Sequence, residues 1–96
     1  MYIQEFKVTN SGKINPDDLI DMVFSLLCSY RMNGQILSDE WANYYQDNVL
    51  YCIFLTPEKD SLEEKYNNSY VDNDIKKLES STNSKIRYKT LGDYMA

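Results

Sequence analysis

The order of the regular elements constrains this chain more than any other feature. Hydrophobic periodicity divides the sequence into six segments that read strand, helix, strand, strand, helix, strand. With right-handed crossovers, this order places the first and third strands at the sheet centre and both helices on one face. The sequence therefore predicts an α+β fold: a ferredoxin-like βαββαβ sandwich with a four-stranded antiparallel sheet and two helices on one face. At 96 residues, the chain is expected to form a single domain over residues 1–96.

The predicted bounds follow from side-chain alternation, helix caps and turns. We place strands at residues 2–9, 35–46, 49–56 and 85–91, and helices at residues 16–32 and 69–80. Asn15 and Pro16 are typical of a helix start, and Gly34 is typical of a residue just past a helix end. Asp47 and Asn48 predict a tight hairpin turn. The 35–46 segment is the least regular, because residues 39–42 also fit a helical turn.

One face of the predicted sheet has no helix to cover it. Residues 49–56 are apolar on both faces, so their alternation does not decide which side chains point outward. The aromatic side chains expected on the open face are drawn from Tyr2, Phe6, Tyr44, Tyr45 and Tyr51.

Charge and hydropathy exclude several functions. The net charge is −5, and the acidic residues outnumber the basic ones mainly before residue 65. An acidic chain is repelled by phosphate backbones and attracted by basic partners, so we expect a protein partner rather than nucleic acid. The longest apolar run, residues 49–55, is far shorter than the ~20 residues of a membrane-spanning helix. The first residues also lack the features of a signal peptide, so we expect a cytoplasmic protein without membrane attachment.

The residues that usually carry catalysis or hold cofactors are scarce. Histidine is absent, which removes the common general base near neutral pH and most zinc ligand sets. Cys28 and Cys52 are far apart in sequence and are predicted to be buried, reduced thiols without a disulfide. We therefore expect no catalytic residues, no metal and no cofactor, and hence not an enzyme. An enzyme fragment completed by another chain is a further alternative.

Aromatic residues give the clearest functional indication. Nine tyrosines and one tryptophan occur in 96 residues, and these two residue types dominate the energetics of protein interfaces. Several lie beside carboxylates in the central hairpin. The predicted partner-binding residues are Asp39, Glu40, Trp41, Tyr44, Tyr45 and Asp47. Together with the acidic charge, they favour a non-enzymatic protein-binding module, an immunity protein or antitoxin acting as a toxin inhibitor on a basic bacterial toxin such as a nuclease.

Short patches of the sequence resemble a known family. They are Asn33-Gly34-Gln35-Ile36 with Glu40-Trp41, residues 57–62 with residues 66–71, and residues 88–92. They resemble the N-terminal domain of an uncharacterised bacterial family described as zinc-ribbon-containing, with a suggested role in nucleic-acid binding. Because this sequence holds no Cys-x-x-Cys pair, the zinc does not carry over. The resemblance implies, as the alternative function, a nucleic-acid-associated regulatory module lacking its zinc ribbon. From the charge pattern alone, Lys85, Arg87 and Lys89 of the predicted last strand are the residues that could serve phosphates, although a solvated strand edge protected from aggregation explains them as well.

Overall fold

The computed structural model describes residues 1–11 and 13–94 and has the predicted order of elements. The elements are β1 (Tyr2–Thr9), α1 (Pro16–Met32), β2 (Ala42–Gln46), β3 (Val49–Thr56), a short 3₁₀ turn (Glu64–Tyr66), α2 (Ser69–Thr82) and β4 (Arg87–Asp93). The strands form one sheet in the order β2-β3-β1-β4, and every neighbouring pair is antiparallel. This confirms the predicted ferredoxin-like βαββαβ fold, with β1 and β3 at the centre.

Capping residues fix the helix ends. The side chain of Asn15 accepts a hydrogen bond from the backbone N–H of Asp17 at 2.9 Å, and Pro16 occupies the first helical position. Gly34 follows α1 with a φ of 77°, a left-handed conformation that glycine adopts without a steric cost. Asn68 caps α2 through the N–H of Val71 at 2.9 Å. These local signals explain why α1 has the predicted bounds. Helix α2 extends two residues beyond its predicted end, and β4 begins and ends two residues later than predicted.

The core lies between the helices and one face of the sheet. Alternate residues of β1 and β3 are buried there, whereas the residues between them are more exposed. The core is completed by one side of each helix. Its members with an exposure of 3% or less are Phe6, Val8, Leu19, Val23, Leu26, Leu27, Tyr30, Ile36, Leu50, Cys52, Phe54, Val71 and Leu78. Burying one such side chain contributes about 1.5–3 kcal/mol, so this layer supplies most of the driving force for folding.

The second strand is shorter than predicted. Residues 35–41 lie outside the strand, and β2 begins at Ala42. The N–H of Leu37 donates to the carbonyl of Leu55 at 2.9 Å, and the hydroxyl of Ser38 accepts from the N–H of Leu55 at 2.9 Å. The N–H of Leu55 therefore bonds to a side-chain hydroxyl instead of a backbone carbonyl, so the regular backbone hydrogen bonding between β2 and β3 does not extend to residues 35–41. The Asp47-Asn48 turn is as predicted, with φ values of 53° and 64° that suit a two-residue hairpin.

The predictions for the open face and for one cysteine were partly wrong. Phe6 is 1% exposed and lies on the helix side of β1, and the register places Tyr2 and Tyr45 on that side as well. The strand alternation leaves Tyr44 and Tyr51 on the open face. Cys28 is exposed rather than buried, because it lies away from the apolar stripe of α1.

A network of side-chain amides anchors the connection between β3 and α2. The amide of Gln35, which is 4% exposed, donates to the carbonyl of Ser61 at 2.9 Å and to the side chain of Asn67 at 3.0 Å. Asn33 donates to Gln35 at 2.7 Å and to the carbonyl of Tyr66 at 2.8 Å. The segment after α1 therefore binds this long connection, and so it is not available for strand pairing.

Candidate functional site

A row of side chains crosses the open face of the sheet. Directly opposite residues of neighbouring strands share a face, and the register aligns Tyr44 with Tyr51, Tyr51 with Lys7, and Lys7 with Arg87. The rings of Tyr44 and Tyr51 are stacked, with centroids 4.6 Å apart and planes 12° apart. The amine of Lys7 lies 5.7 Å from the centroid of the Tyr51 ring. The row is therefore aromatic on the β2 side and basic on the β4 side.

An apolar groove adjoins this row. It has a volume of about 490 Å³, and its lining includes Ile3, Trp41, Ile53, Leu55 and Tyr94. Trp41 is held by Phe24 of α1, with ring centroids 5.5 Å apart and planes 78° apart. Because Trp41 lies partly buried between α1 and the groove, it acts as a fixed wall rather than as a mobile surface side chain.

The six predicted site residues do not form one surface. Tyr44 lies on the open face, and Glu40 and Trp41 line the groove. Tyr45 lies on the opposite face, where its hydroxyl accepts a hydrogen bond from Asn10 at 3.1 Å. A salt bridge holds Asp39 to Arg31. Asp47 is exposed in the hairpin turn. Glu40, Trp41, Tyr44 and Asp47 therefore follow one another along β2 and the residues that flank it, whereas Tyr45 lies on the other face and Asp39 is paired with Arg31.

The outer strand β2 forms an acidic edge of the sheet. Four of its five residues are exposed. The carboxylates of Glu40 and Asp47 flank it, and neither makes a salt bridge within residues 1–11 and 13–94. We call Glu40, Trp41, Tyr44 and Asp47 the β2 edge.

The predicted basic residues are also divided between two faces. Arg87 and Lys89 lie on the open face, where they pair with Lys7 and Glu5 of β1. The amine of Lys89 is 3.6 Å from the carboxylate of Glu5. Lys85 precedes β4, and its amine lies 3.6 Å from the carboxylate of Glu79 on α2. The basic part of the open face therefore consists of Lys7, Arg87 and Lys89, and sequence spacing alone does not reveal Lys7 as a member.

Two further properties bear on function. Within the described ranges, 1–11 and 13–94, no group of three or more His, Cys, Asp or Glu side chains is placed to hold a metal ion. No helix in the same ranges is long and apolar enough to cross a membrane.

The two free thiols are expected to react at very different rates. Cys28 is exposed, whereas Cys52 is fully buried and its burial raises the pKa of the thiol to about 12. Because the thiolate is the nucleophile, we expect a thiol reagent at pH 8 to label Cys28 in native protein within minutes and to label Cys52 only after unfolding. Mass spectrometry after maleimide treatment measures both rates, and equally fast labelling at the two positions would contradict the structure.

The comparisons with known proteins identify a family without assigning a function. No curated protein and no solved structure shows significant similarity to the chain. One family model matches residues 1–92, which include every strand and helix except the last residue of β4. The chain therefore belongs to the family described as Domain of unknown function (DUF8589).

Proposed function

We propose that this protein is a non-enzymatic, cytoplasmic protein-binding module, an immunity protein or antitoxin that binds and blocks a basic bacterial toxin, such as a nuclease, through its β2 edge. The observation that carries the proposal is the anatomy of that edge. Along the chain, a fixed indole, Trp41, and an aromatic ring already held by stacking, Tyr44, lie between Glu40 and Asp47, two carboxylates without salt bridges among the described residues. Aromatic anchors surrounded by charge are the common anatomy of tight interfaces.

The position of β2 at the side of the sheet supports this proposal. Its outer backbone groups have no neighbouring strand in the sheet order β2-β3-β1-β4, and such an edge offers hydrogen bonds to an added strand of a partner. The net charge of −5 favours association with a basic protein. The sequence also lacks histidine, which favours binding over acid–base catalysis.

The carboxylates and the aromatic rings are expected to have different roles. Glu40 and Asp47 would accelerate encounter with a basic surface by long-range attraction, which salt weakens. Trp41 and Tyr44 would slow dissociation by burying apolar area after contact.

The test uses a basic nuclease domain, if one is encoded beside the gene for this protein. We expect the purified protein to inhibit plasmid cleavage by that domain at a one-to-one ratio. The double variant Glu40→Lys and Asp47→Lys should slow association by about tenfold or more at low salt and flatten its salt dependence, because it reverses the charges that attract the partner. Stopped-flow or biosensor measurements at several salt concentrations provide the rates.

A matched control separates position from net charge. The double variant Asp18→Lys and Asp21→Lys makes the same change in net charge on exposed positions of α1. It should leave association with the nuclease domain nearly unchanged. The proposal fails if no neighbouring toxin domain exists, if the protein does not inhibit it, or if both double variants slow association equally.

A second candidate function is favoured by the other half of the open face. Tyr51 lies beside Lys7, and Arg87 and Lys89 extend the basic part toward β4. Stacked rings next to cations can hold single-stranded RNA bases and phosphates. This candidate, a nucleic-acid-associated regulatory module, also agrees with the resemblance to the zinc-ribbon family.

The two candidates are separable because their residues lie on different strands. If the protein binds RNA, reversing Lys7 and Arg87 to Glu should abolish binding of a fluorescent uridine 12-mer and leave nuclease inhibition intact. Reversing Lys76 and Lys77, exposed lysines of α2, is the matched control. Failure of the parent protein to bind the 12-mer at 50 mM salt would exclude this candidate.

A further inference from the structure

A cleft that the sequence did not predict lies on the helix side of the molecule. It has a volume of about 780 Å³, within the range of small-ligand sites. Phe6, Leu62, Ile75 and Ile86 give it apolar walls, and the hydroxyl-bearing rings of Tyr30 and Tyr88 also line it. These residues come from both helices, from β1 and β4, and from the connection before α2.

The hydroxyl group of Tyr30 is the polar group that best indicates what this cleft could bind. Its side chain is 3% exposed, and its hydroxyl makes no side-chain hydrogen bond with any described residue. Among the described residues, every buried side-chain oxygen that is shielded from solvent has a hydrogen-bond partner. The hydroxyl of Tyr30 must therefore keep its remaining contact with solvent, and the cleft that Tyr30 lines is where that contact lies.

The charges around the cleft favour a cation. Among the lining lysines, the amine of Lys65 lies 3.3 Å from a carboxylate oxygen of Asp60, and that of Lys85 lies 3.6 Å from Glu79. Asp72 makes no salt bridge within the described residues, and neither does Glu64. Among the lysines that line the cleft in the described residues, Lys76 alone makes no salt bridge. The lining therefore holds two carboxylates without a salt-bridge partner but one such amine, which leaves an excess of negative charge.

Burial and nearby negative groups also raise the pKa values of the two tyrosines in the cleft. Burial raises the pKa of Tyr30, and the nearby groups Tyr88, Asp72 and Glu79 raise it further. The pKa of Tyr88 is raised by burial and by Glu63 and Asp60. Both phenols therefore stay neutral and can accept a hydrogen bond from a cationic donor.

We propose that this cleft binds an amphipathic cation, namely an apolar body that carries an amidinium or guanidinium group. The apolar body would pack against Phe6, Ile75 and Ile86. The cationic group would donate a hydrogen bond to the hydroxyl of Tyr30 and lie near the carboxylate of Asp72. The ligand is either a free small molecule or an arginine side chain of a protein. The site lies on the opposite side of the sheet from Tyr44, so it does not depend on the proposed function.

The test compares three probes of one shape and different charge. Benzamidine is a cation, benzamide is neutral and benzoate is an anion. In ¹H–¹⁵N NMR titrations we expect benzamidine to shift the amide signals of Ile75, Ile86 and Tyr88 in a saturable way, benzamide to bind more weakly, and benzoate not to bind. Tyr30→Phe keeps the ring and removes the hydroxyl, so it should weaken benzamidine binding about fivefold or more.

The controls distinguish the two sources of the ligand and can overturn the site. Asp72→Asn should weaken benzamidine binding and leave benzamide binding unchanged, whereas Tyr70→Phe, on an exposed ring of α2, should change neither. N-acetyl-arginine amide that shifts the same signals indicates a side chain of a partner, and benzamidine alone indicates a small molecule. Benzoate binding equal to that of benzamidine, shifts elsewhere, or no effect of Tyr30→Phe overturns the proposal.

Discussion

Replacing Tyr44 by alanine is expected to weaken binding of the nuclease domain by ~2 kcal/mol, about 30-fold, mostly through faster dissociation. Tyr44 is 47% exposed in the free protein, so its ring has apolar area left to bury. Stacking on Tyr51 already restrains the ring, which lowers the entropy lost on binding. Biosensor measurements of the dissociation rate, together with protection in the plasmid-cleavage assay, test this expectation.

Two comparisons make the result specific. Tyr70→Ala removes a tyrosine that is 76% exposed on α2, and it should bind as the parent does. Trp41→Ala should weaken binding by ~2 kcal/mol or more, but it also removes the contact with Phe24 and so lowers thermal stability. Tyr44→Ala therefore gives the cleaner measurement. If Tyr44→Ala binds and protects as the parent does, the interface proposed on the β2 edge is wrong.

Replacing Phe6 by alanine is expected to lower the free energy of unfolding by about 3–5 kcal/mol. Phe6 is 1% exposed at the centre of the sheet. Its ring lies 6.2 Å from the ring of Tyr30 and 6.2 Å from that of Phe54, so truncation leaves a cavity that neither neighbour fills. Because small domains are stable by only about 5–15 kcal/mol, this one change removes a large part of the total.

Urea denaturation followed by circular dichroism measures this effect. The midpoint should fall while the slope with denaturant stays constant, which identifies a change in stability rather than in the unfolded state. Tyr70→Ala, on an exposed position of α2, should change stability by no more than about 0.5 kcal/mol. Equal midpoints for the parent and Phe6→Ala would contradict the placement of Phe6 in the core.

The elements with strong local signals were predictable from the sequence. The first helix has the predicted bounds because Asn15 caps it, Pro16 suits its first turn and Gly34 supplies the left-handed residue after its end. The predicted bounds of β1 and β3 are also confirmed. In each case the residues that decide the boundary lie within the element or beside it.

Features that depend on distant partners were not predictable. Residues 35–41 were predicted as the start of the second strand, but Gln35 binds the connection before α2 and Ser38 binds Leu55. The outward face of β3 was undecided because both of its faces are apolar. Only the docking of the helices fixed it, and with it which of the adjacent residues Tyr44 and Tyr45 lies on the open face.

The cleft is the clearest case of a site that sequence spacing cannot show. Tyr30 and Tyr88 are far apart in the chain and belong to α1 and β4. Each reads locally as an ordinary aromatic residue of a helix or a strand. Only the packing of α2 against α1 and the pairing of β4 with β1 bring the two rings to one cavity.

The placement of the charged strands gives the sheet an electric dipole. The β2 edge carries Glu40 and Asp47, whereas Arg87 and Lys89 lie on β4, the opposite edge strand. Three interstrand spacings separate these strands by about 14 Å, which exceeds the ~8 Å Debye length of physiological salt. At short range, an approaching macromolecule therefore responds to the charges of the nearer edge as well as to the net charge of the chain. A basic partner would orient the molecule with the β2 edge toward it before contact, and an acidic partner would orient it with β4 toward it. One small sheet can therefore present two edges that attract partners of opposite charge.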